Sequence, residues 1–527
     1  MVKYHNKTKT GAISEMNGAK IAVKCLAEQG VTQVFAYPGA SVLPLLSAID
    51  AEKRISVCMN THEQFCAFAA DGYARASGRV GVCIATSGPG ATNLVTGIAD
   101  AYMDSIPLVA ITGNVPLSLL GTDAFQEIDI AGVTMPITKH NFIVKSVEAL
   151  APTLREAFRI ASEGRKGPVL VDIPSDIFTS ESKYIRAEAA AAAPEAEKSF
   201  PNLISVAGLI NKSERPVICV GGGVIASGAS ARIKELADIL SCPVVSTAMG
   251  IGGFDGTDTR YCGVTGMDNE PYTLKPISEC DLFIAVGVRF SERMISPLRS
   301  RGDVRVVHID IDDAEIDKNL SPCGSLIGDA SEVLERLCPL LKRRSGWYGF
   351  SLHERVKSVY SLISDILPDA VYTTEVGMHQ VAACRSLAVR RPRTLLTSGG
   401  LGAMGFGLPA AIGACLSQKG VTAVNIAGDG SFNMNMAELS TAVTHGLDLI
   451  EVVINNRVLG MIAEKLGAGA ENASFIKTPH IDYAAAARAF GAHGESVHGI
   501  EEFEKALSGA AKRGGVNVID YCPEETV

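Results

Sequence analysis

The chain has 527 residues, 47% of them hydrophobic and 20% charged, with a formal net charge of −9. That is a globular composition, and at roughly 150 residues per domain it makes about three or four domains. The acidic balance argues against a nucleic-acid binder, no apolar run is long enough for a membrane span, and no apolar stretch follows residues 1–7 as a secretory signal requires. The 13 cysteines include no Cys-x-x-Cys pair, which argues against a disulfide framework or zinc ribbon and for a reducing cytosol.

Buried strands are predicted in chain order at residues 80–86, 107–111, 168–172, 216–220, 281–286, 421–427 and 449–454, separated by longer helical stretches. Their apolar runs are continuous rather than alternating, as in parallel strands covered on both faces. Strand–helix alternation along the whole chain predicts α/β domains with doubly wound parallel sheets. An Ala/Glu-rich linker at 187–199 and a softer boundary at 342–349 divide the chain into blocks at 12–186, 200–341 and 352–527. No internal repeat emerges.

The strongest chemical signal is Gly428-Asp429-Gly430-Ser431-Phe432 after the 421–427 strand, with Asn455-Asn456 closing the next strand. A carboxylate and an amide at the carboxyl ends of parallel strands stand where α/β sheets bind ligands. Both are hard oxygen donors suited to Mg²⁺, which fills its octahedron with phosphate oxygens. The adjacent glycines let main-chain N–H groups approach a diphosphate. Two ordinary strand-to-helix turns are the plain alternative. In the middle block, Val220-Gly221-Gly222-Gly223-Val224-Ile225-Ala226 fits a loose dinucleotide fingerprint, which is weak alone.

The Gly-Asp-Gly and Asn-Asn pairing is the thiamine diphosphate motif. The chain resembles the acetohydroxyacid (acetolactate) synthase catalytic subunits over nearly its whole length, through Tyr37-Pro38-Gly39-Ala40, His62-Glu63-Gln64, Ala70-Asp71-Gly72-Tyr73-Ala74-Arg75, residues 86–93, residues 121–127 and residues 399–409. The resemblance implies three α/β domains: an aminopyrimidine-binding domain, a Rossmann-like central domain and a diphosphate-binding domain. Glu63 is then the cofactor-activating acid, held in an apolar setting by Phe65 to Ala70, against the plain reading of an exposed helix-start cap. Pro38 and Gly39 join the cofactor site, the Gly402 carbonyl and Met404 amide read the pyrimidine edge, and the Met404 side chain wedges the cofactor bent. His379, Gln380, Gly430 and Ser431 meet the diphosphate. Asp429, Asn456 and the Val458 carbonyl hold Mg²⁺. Phe125 and Gln126 lie near the reacting carbons, or are merely a loop anchor beside a polar cap.

The same resemblance implies a structural, non-redox FAD on Gly221, Gly222, Arg289, Arg293, Asp310 and Asp329, where structural salt bridges are the competing reading. It implies 2-keto acid substrates, a homodimer or homotetramer with its active site at the subunit interface, and leaves a small regulatory subunit open. The expected reaction is decarboxylation of pyruvate and carboligation to a second 2-keto acid, in the cytoplasm.

Five departures from the family pattern stand out. Met378 replaces a glutamine beside His379, and Lys465 aligns with a tryptophan that shapes the second-substrate pocket. Ser175 replaces a lysine, Asp268-Asn269 weakens the FAD reading, and the chain stops at Val527 where relatives carry a further arm. A different thiamine diphosphate lyase or decarboxylase, or a degenerate binding homologue, therefore stays open. A nicotinamide dehydrogenase built on the middle-block glycines has no support elsewhere in the chain.

Overall fold

The computed structural model describes residues 14–186, 199–267, 270–299, 302, 304–349, 356–469 and 472–523. The linker expected at 187–199 lies outside the described residues but for Ser199, as do Asp268, Asn269 and the last four residues. The described residues form two compact units, one drawn from residues 1–70 and 80–198, the other from residues 71–79 and 199–527.

The first unit holds a six-stranded sheet in the order Ser56–Met59, Gln33–Ala36, Gly81–Ala85, Leu108–Asn114, Pro168–Pro174, His140–Ile143. Every pairing in it is parallel. A short antiparallel ribbon joins Ser14–Asn17 to Glu181–Tyr184. Leu108–Asn114 and Pro168–Pro174 are buried along their whole length, so the apolar runs are continuous because both faces are covered. One cover is the helix Val147–Ser162. Ser146 caps it by accepting the Ala149 N–H, and it buries Leu150, Leu154, Ala157, Phe158 and Ala161 at helical spacing. Truncating one such residue, as in Leu154→Ala, costs about 2–5 kcal/mol.

The second unit holds two more six-stranded sheets, parallel throughout. The middle one runs Tyr261–Val264, Val244–Ser246, Pro216–Val220, Leu282–Val286, Arg305–Asp310, Gly324–Ile327. Counted from its own first strand this is the 3-2-1-4-5-6 order of the Rossmann fold. The last runs Leu395–Thr397, Val371–Thr374, Ala423–Gly428, Leu449–Ile454, Val516–Tyr521, His493–Val497. The expected architecture of three α/β domains is present. The first and last sheets also share one strand order, second-first-third-fourth-sixth-fifth. This is a structural repetition that the sequence does not display.

Among the described residues no helix is long and apolar enough to cross a membrane.

Candidate active site

In the first sheet the strand order reverses between Gln33–Ala36 and Gly81–Ala85. The carboxyl ends of such a pair flank the crevice where open α/β sheets take ligands. Exposed Pro38 and half-buried Gly39 leave one strand, and Thr86-Ser87-Gly88 leave the other. The two turns are knit together: Ser41 Oγ and Thr86 Oγ1 share a hydrogen bond of 2.8 Å, and the Ser87 N–H donates to Ser41 Oγ at 3.0 Å. Gly39 lies flat on Thr86, whose Cβ would stand 2.4 Å from any added Cβ.

Glu63 opens the helix Glu63–Ser77 and is only 8% exposed, so it is no surface cap. The bond at this helix start is instead the Gln64 N–H to His62 Nδ1, 3.1 Å. Asn93 Nδ2 donates to Glu63 Oε2 at 2.9 Å. Oε1 faces Gly90, where a Cβ would come within 3.2 Å of it. Asn93 was not singled out by sequence reasoning, although it ends one of the stretches that carry the resemblance.

The loop over residues 121–127 is organised by Glu127. Its carboxylate accepts the main-chain N–H groups of Gly121, Thr122 and Ala124, and the first of these bonds contributes most to holding it below the usual carboxylate range. Gln126 sits at φ 62° against Gly88, where an added Cβ would lie 2.9 Å from the Gln126 Cβ. Phe125 is 89% exposed.

In the last sheet the order reverses between Val371–Thr374 and Ala423–Gly428. The residues that follow these strands include Glu375, His379, Asp429 and Ser431. His379 is buried, and its Nε2 accepts the Gly428 N–H at 3.3 Å. Loss of hydration drives its pKa down to about 4, partly opposed by a bond to the Glu375 main chain, so the ring is neutral. Ser431 Oγ donates to the Val376 carbonyl at 3.2 Å. Gln380 is buried, and its amide donates to Thr397 Oγ1 at 2.7 Å and the Ser398 carbonyl at 3.2 Å.

Asp429 is 1% exposed. Its Oδ1 accepts the Gly430 N–H at 2.9 Å, and its Oδ2 accepts the Thr478 hydroxyl. Burial raises its pKa, while Thr478 and the main-chain N–H groups of Gly430 and Arg457 oppose the rise. The Arg457 bond ties Asp429 to the loop of Asn456 and Val458. That loop is braced by a bridge between Val458 and Lys477 and by the Leu459 N–H to the Ile476 carbonyl, 2.8 Å. Asn456 Oδ1 accepts the Val458 N–H at 3.3 Å. One carboxylate, one amide oxygen and nearby carbonyls make a hard donor set that fits Mg²⁺. Thr478 comes from a different segment, and no motif pointed to it.

Gly402, at φ 73°, and half-buried Met404 lie in the turn before the helix Gly407–Ser417. Met378 is 42% exposed, and its Cγ would lie 3.2 Å from a Cβ on Gly460. Lys465 is exposed in the last turn of the helix Gly460–Leu466. Ser175 opens the helix Ser175–Thr179.

In the middle sheet the order reverses between Pro216–Val220 and Leu282–Val286. Gly221, Gly222, Arg289 and Asp310 follow or end three adjacent strands on their carboxyl side. The Gly221 N–H donates to the Val286 carbonyl at 2.9 Å and the Gly223 N–H to the Gly287 carbonyl at 3.1 Å, so these two donors serve turn packing. Arg289 is half-buried and Arg293 exposed. Asp329 caps the helix Ala330–Leu337 by accepting the Ser331 N–H at 2.9 Å, and Asp310 accepts the Asp312 N–H at 3.0 Å. Beside Asp310, the buried His308 keeps an unpartnered Nδ1. The row along this edge fits a dinucleotide in placement.

The family described as "Thiamine pyrophosphate enzyme, N-terminal TPP binding domain" matches residues 16–133. Its central domain matches residues 203–337 and its C-terminal TPP binding domain residues 375–521. The chain is 38% identical over 531 residues to the probable acetolactate synthase large subunit of Methanocaldococcus jannaschii, covering 94% of this chain and 90% of that protein. The chain belongs to the acetolactate synthase large subunits, a branch of the thiamine pyrophosphate enzymes. It is also 42% identical over 492 residues to the acetolactate synthase of Arthrospira platensis, 86% of this chain and 84% of the relative. Acetolactate synthase isozyme 1 large subunit of Escherichia coli is 39% identical over 495 residues, 89% of this chain and 87% of the relative. Family membership gives the buried Glu63 and the Asp429 loop their chemical context: each lies at the ligand-taking edge of a domain that the family describes as TPP-binding.

Proposed function

We propose that the chain decarboxylates pyruvate and joins the two-carbon unit to a second 2-keto acid, releasing CO₂ and giving 2-acetolactate or 2-aceto-2-hydroxybutyrate. This is the first shared step of branched-chain amino-acid synthesis. One observation carries the reading: a buried Glu63 held by Asn93 at one ligand-taking edge, and a buried Asp429 tied to the Asn456–Val458 loop at another. Thiamine diphosphate, when bound, supplies the carbon nucleophile and the electron sink for decarboxylation.

The protein's own part is positional. Glu63 exchanges a hydrogen bond and a proton with the aminopyrimidine, and Asn93 fixes the carboxyl that does so. Asp429, Asn456 and the Val458 carbonyl hold Mg²⁺, with His379, Gln380, Gly430 and Ser431 around the diphosphate. The neutral His379 ring adds no charge there. The Gly402 carbonyl and Met404 amide read the pyrimidine edge, with Pro38 and Gly39 completing the site. Phe125 and Gln126 border the reacting carbons and exclude water.

FAD in a structural role is supported by the row of Gly222, Arg289 and Asp310 along the middle sheet, with Gly221, Arg293 and Asp329 at its margins. A homodimer or homotetramer, completing its sites with residues from two copies, is supported by the exposure of Phe125. A small regulatory subunit and a cytoplasmic location belong to the same reading. Lys465 favours a second reading, a thiamine diphosphate lyase with a more anionic second substrate, because it puts an exposed cation in the helix that follows the Asn456 loop.

The test is product identification from pyruvate, alone and with 2-ketobutyrate, in thiamine diphosphate and Mg²⁺. Acetohydroxyacids are the expected products, and Glu63→Gln should abolish turnover while keeping the cofactor. Absence of any cofactor-dependent keto-acid turnover would falsify the reading.

A further inference from the structure

We propose that Glu375 is a positioning residue, a buried anion that holds the 402–408 turn in the one shape able to present Gly402 and Met404 to the aminopyrimidine. This rests on the role given to that turn above.

Glu375 follows the strand Val371–Thr374 and is fully buried. Its Oε2 accepts the Gly405 N–H at 2.7 Å. Its Oε1 accepts the Gly407 N–H at 2.8 Å, the Leu408 N–H at 3.3 Å and Asn435 Nδ2 at 2.5 Å. All four partners are donors, and an ionised carboxylate is an acceptor only. Gly407 and Leu408 open the helix Gly407–Ser417, so the charge also meets the positive end of a helix. The approach needs Gly407 bare: a Cβ there would lie 2.3 Å from Asn425 Oδ1 and 2.9 Å from the Glu375 nitrogen.

Asn435 closes the clamp, because the same Nδ2 also donates to the Gly405 carbonyl at 3.1 Å. On the other flank the Ala403 N–H donates to Ser398 Oγ at 2.8 Å. Met404 is therefore anchored at the residue before it and the residue after it. Charge-assisted bonds of this kind are the strong ones: one comes from Gly405 inside the turn, two from the first residues of the helix that follows it, and one from Asn435.

The neighbouring strand supplies a built-in control. Glu451 is just as buried, but among the described residues its two oxygens accept only Asn425 Nδ2, each at 2.9 Å. Neither bond reaches the turn.

The experiment measures thiamine diphosphate binding to the full-length protein by calorimetry in excess Mg²⁺, together with kcat at saturating cofactor and thermal unfolding of the cofactor-free protein. Glu375→Gln points an amide at N–H donors and should weaken binding about 10- to 100-fold, with kcat at saturation falling much less. Asn435→Ala is the gentler variant. Asn435 Oδ1 has no partner, so little but the clamp is lost, and binding should weaken severalfold. Glu451→Gln removes no bond to the turn, although its charge is felt by Glu375, and should weaken binding far less than Glu375→Gln does. Wild-type affinity in both Glu375→Gln and Asn435→Ala overturns the proposal, as does an equal loss in Glu451→Gln or a loss matched by the unfolded fraction. If Met404→Pro, which removes the amide, leaves cofactor binding and turnover untouched, the assignment of the turn itself is wrong, whatever Glu375 does.

Discussion

Thr478 shows how much a single hydroxyl can decide. It reaches Asp429 from a separate segment and fixes one carboxylate oxygen, while the Gly430 N–H fixes the other. Groups that orient a metal ligand typically carry 10- to 100-fold in metal affinity. Thr478→Val keeps the shape and removes the donor. Mg²⁺ titration of metal-stripped protein, read by turnover and by Mn²⁺ binding, should show affinity about tenfold weaker with little change at saturating metal.

His379 makes a prediction about acid. Its folded pKa is near 4 against an ordinary 6.5, so between those values the unfolded chain takes up a proton that the native protein refuses. Stability contributed by the neutral ring is complete above about 6.5 and is lost as pH falls toward 4. Asp172 slopes the other way. Burial raises it from 3.8 to about 6, against bonds from Asn114 and Thr112, so its native state favours the low end of that window. Denaturant unfolding from pH 7 to pH 4 should therefore lose less stability in His379→Asn than in wild type. An unchanged slope would show that the ring is protonated in the fold.

At the scale of elements, the strands were the legible part. Pro216–Val220 and Leu449–Ile454 have the expected limits: the first is apolar throughout, and the second buries its one charged side chain, Glu451, with the rest, as in a strand covered on both faces. The site was half legible. Asp429 sits between two glycines at a strand end and Asn456 follows the next strand, where spacing announces them, while Glu63 was reached through the family resemblance. Glu375, Asn93 and Thr478 were announced by no such spacing. Each acts through a partner remote in sequence, and a hydrogen bond across the fold leaves no periodic trace. The weak dinucleotide fingerprint illustrates the opposite risk. Two of its N–H groups turned out to bond neighbouring carbonyls, which a pattern of glycines cannot reveal.

For the whole molecule, the common strand order of the first and last sheets is the largest feature the sequence hid. Topology survives when nearly every side chain differs, since hydrophobic pattern and connection handedness suffice to specify it. Both sheets belong to domains described as TPP-binding, so cofactor should stabilise the protein as a whole. At a hundred times its dissociation constant, thiamine diphosphate with Mg²⁺ should add about 2.7 kcal/mol to unfolding. Chelation by EDTA should abolish that gain in a thermal-shift measurement, whereas thiamine without its phosphates should give little of it.

The loop over residues 121–127 carries one more consequence. Its main chain is stapled by Glu127 while Phe125 stands in the open. Those bonds restrict the main chain of the segment before anything touches the ring. A surface closing over Phe125 therefore meets a braced hydrophobic peg, and less of the entropy lost on contact comes from the loop's main chain.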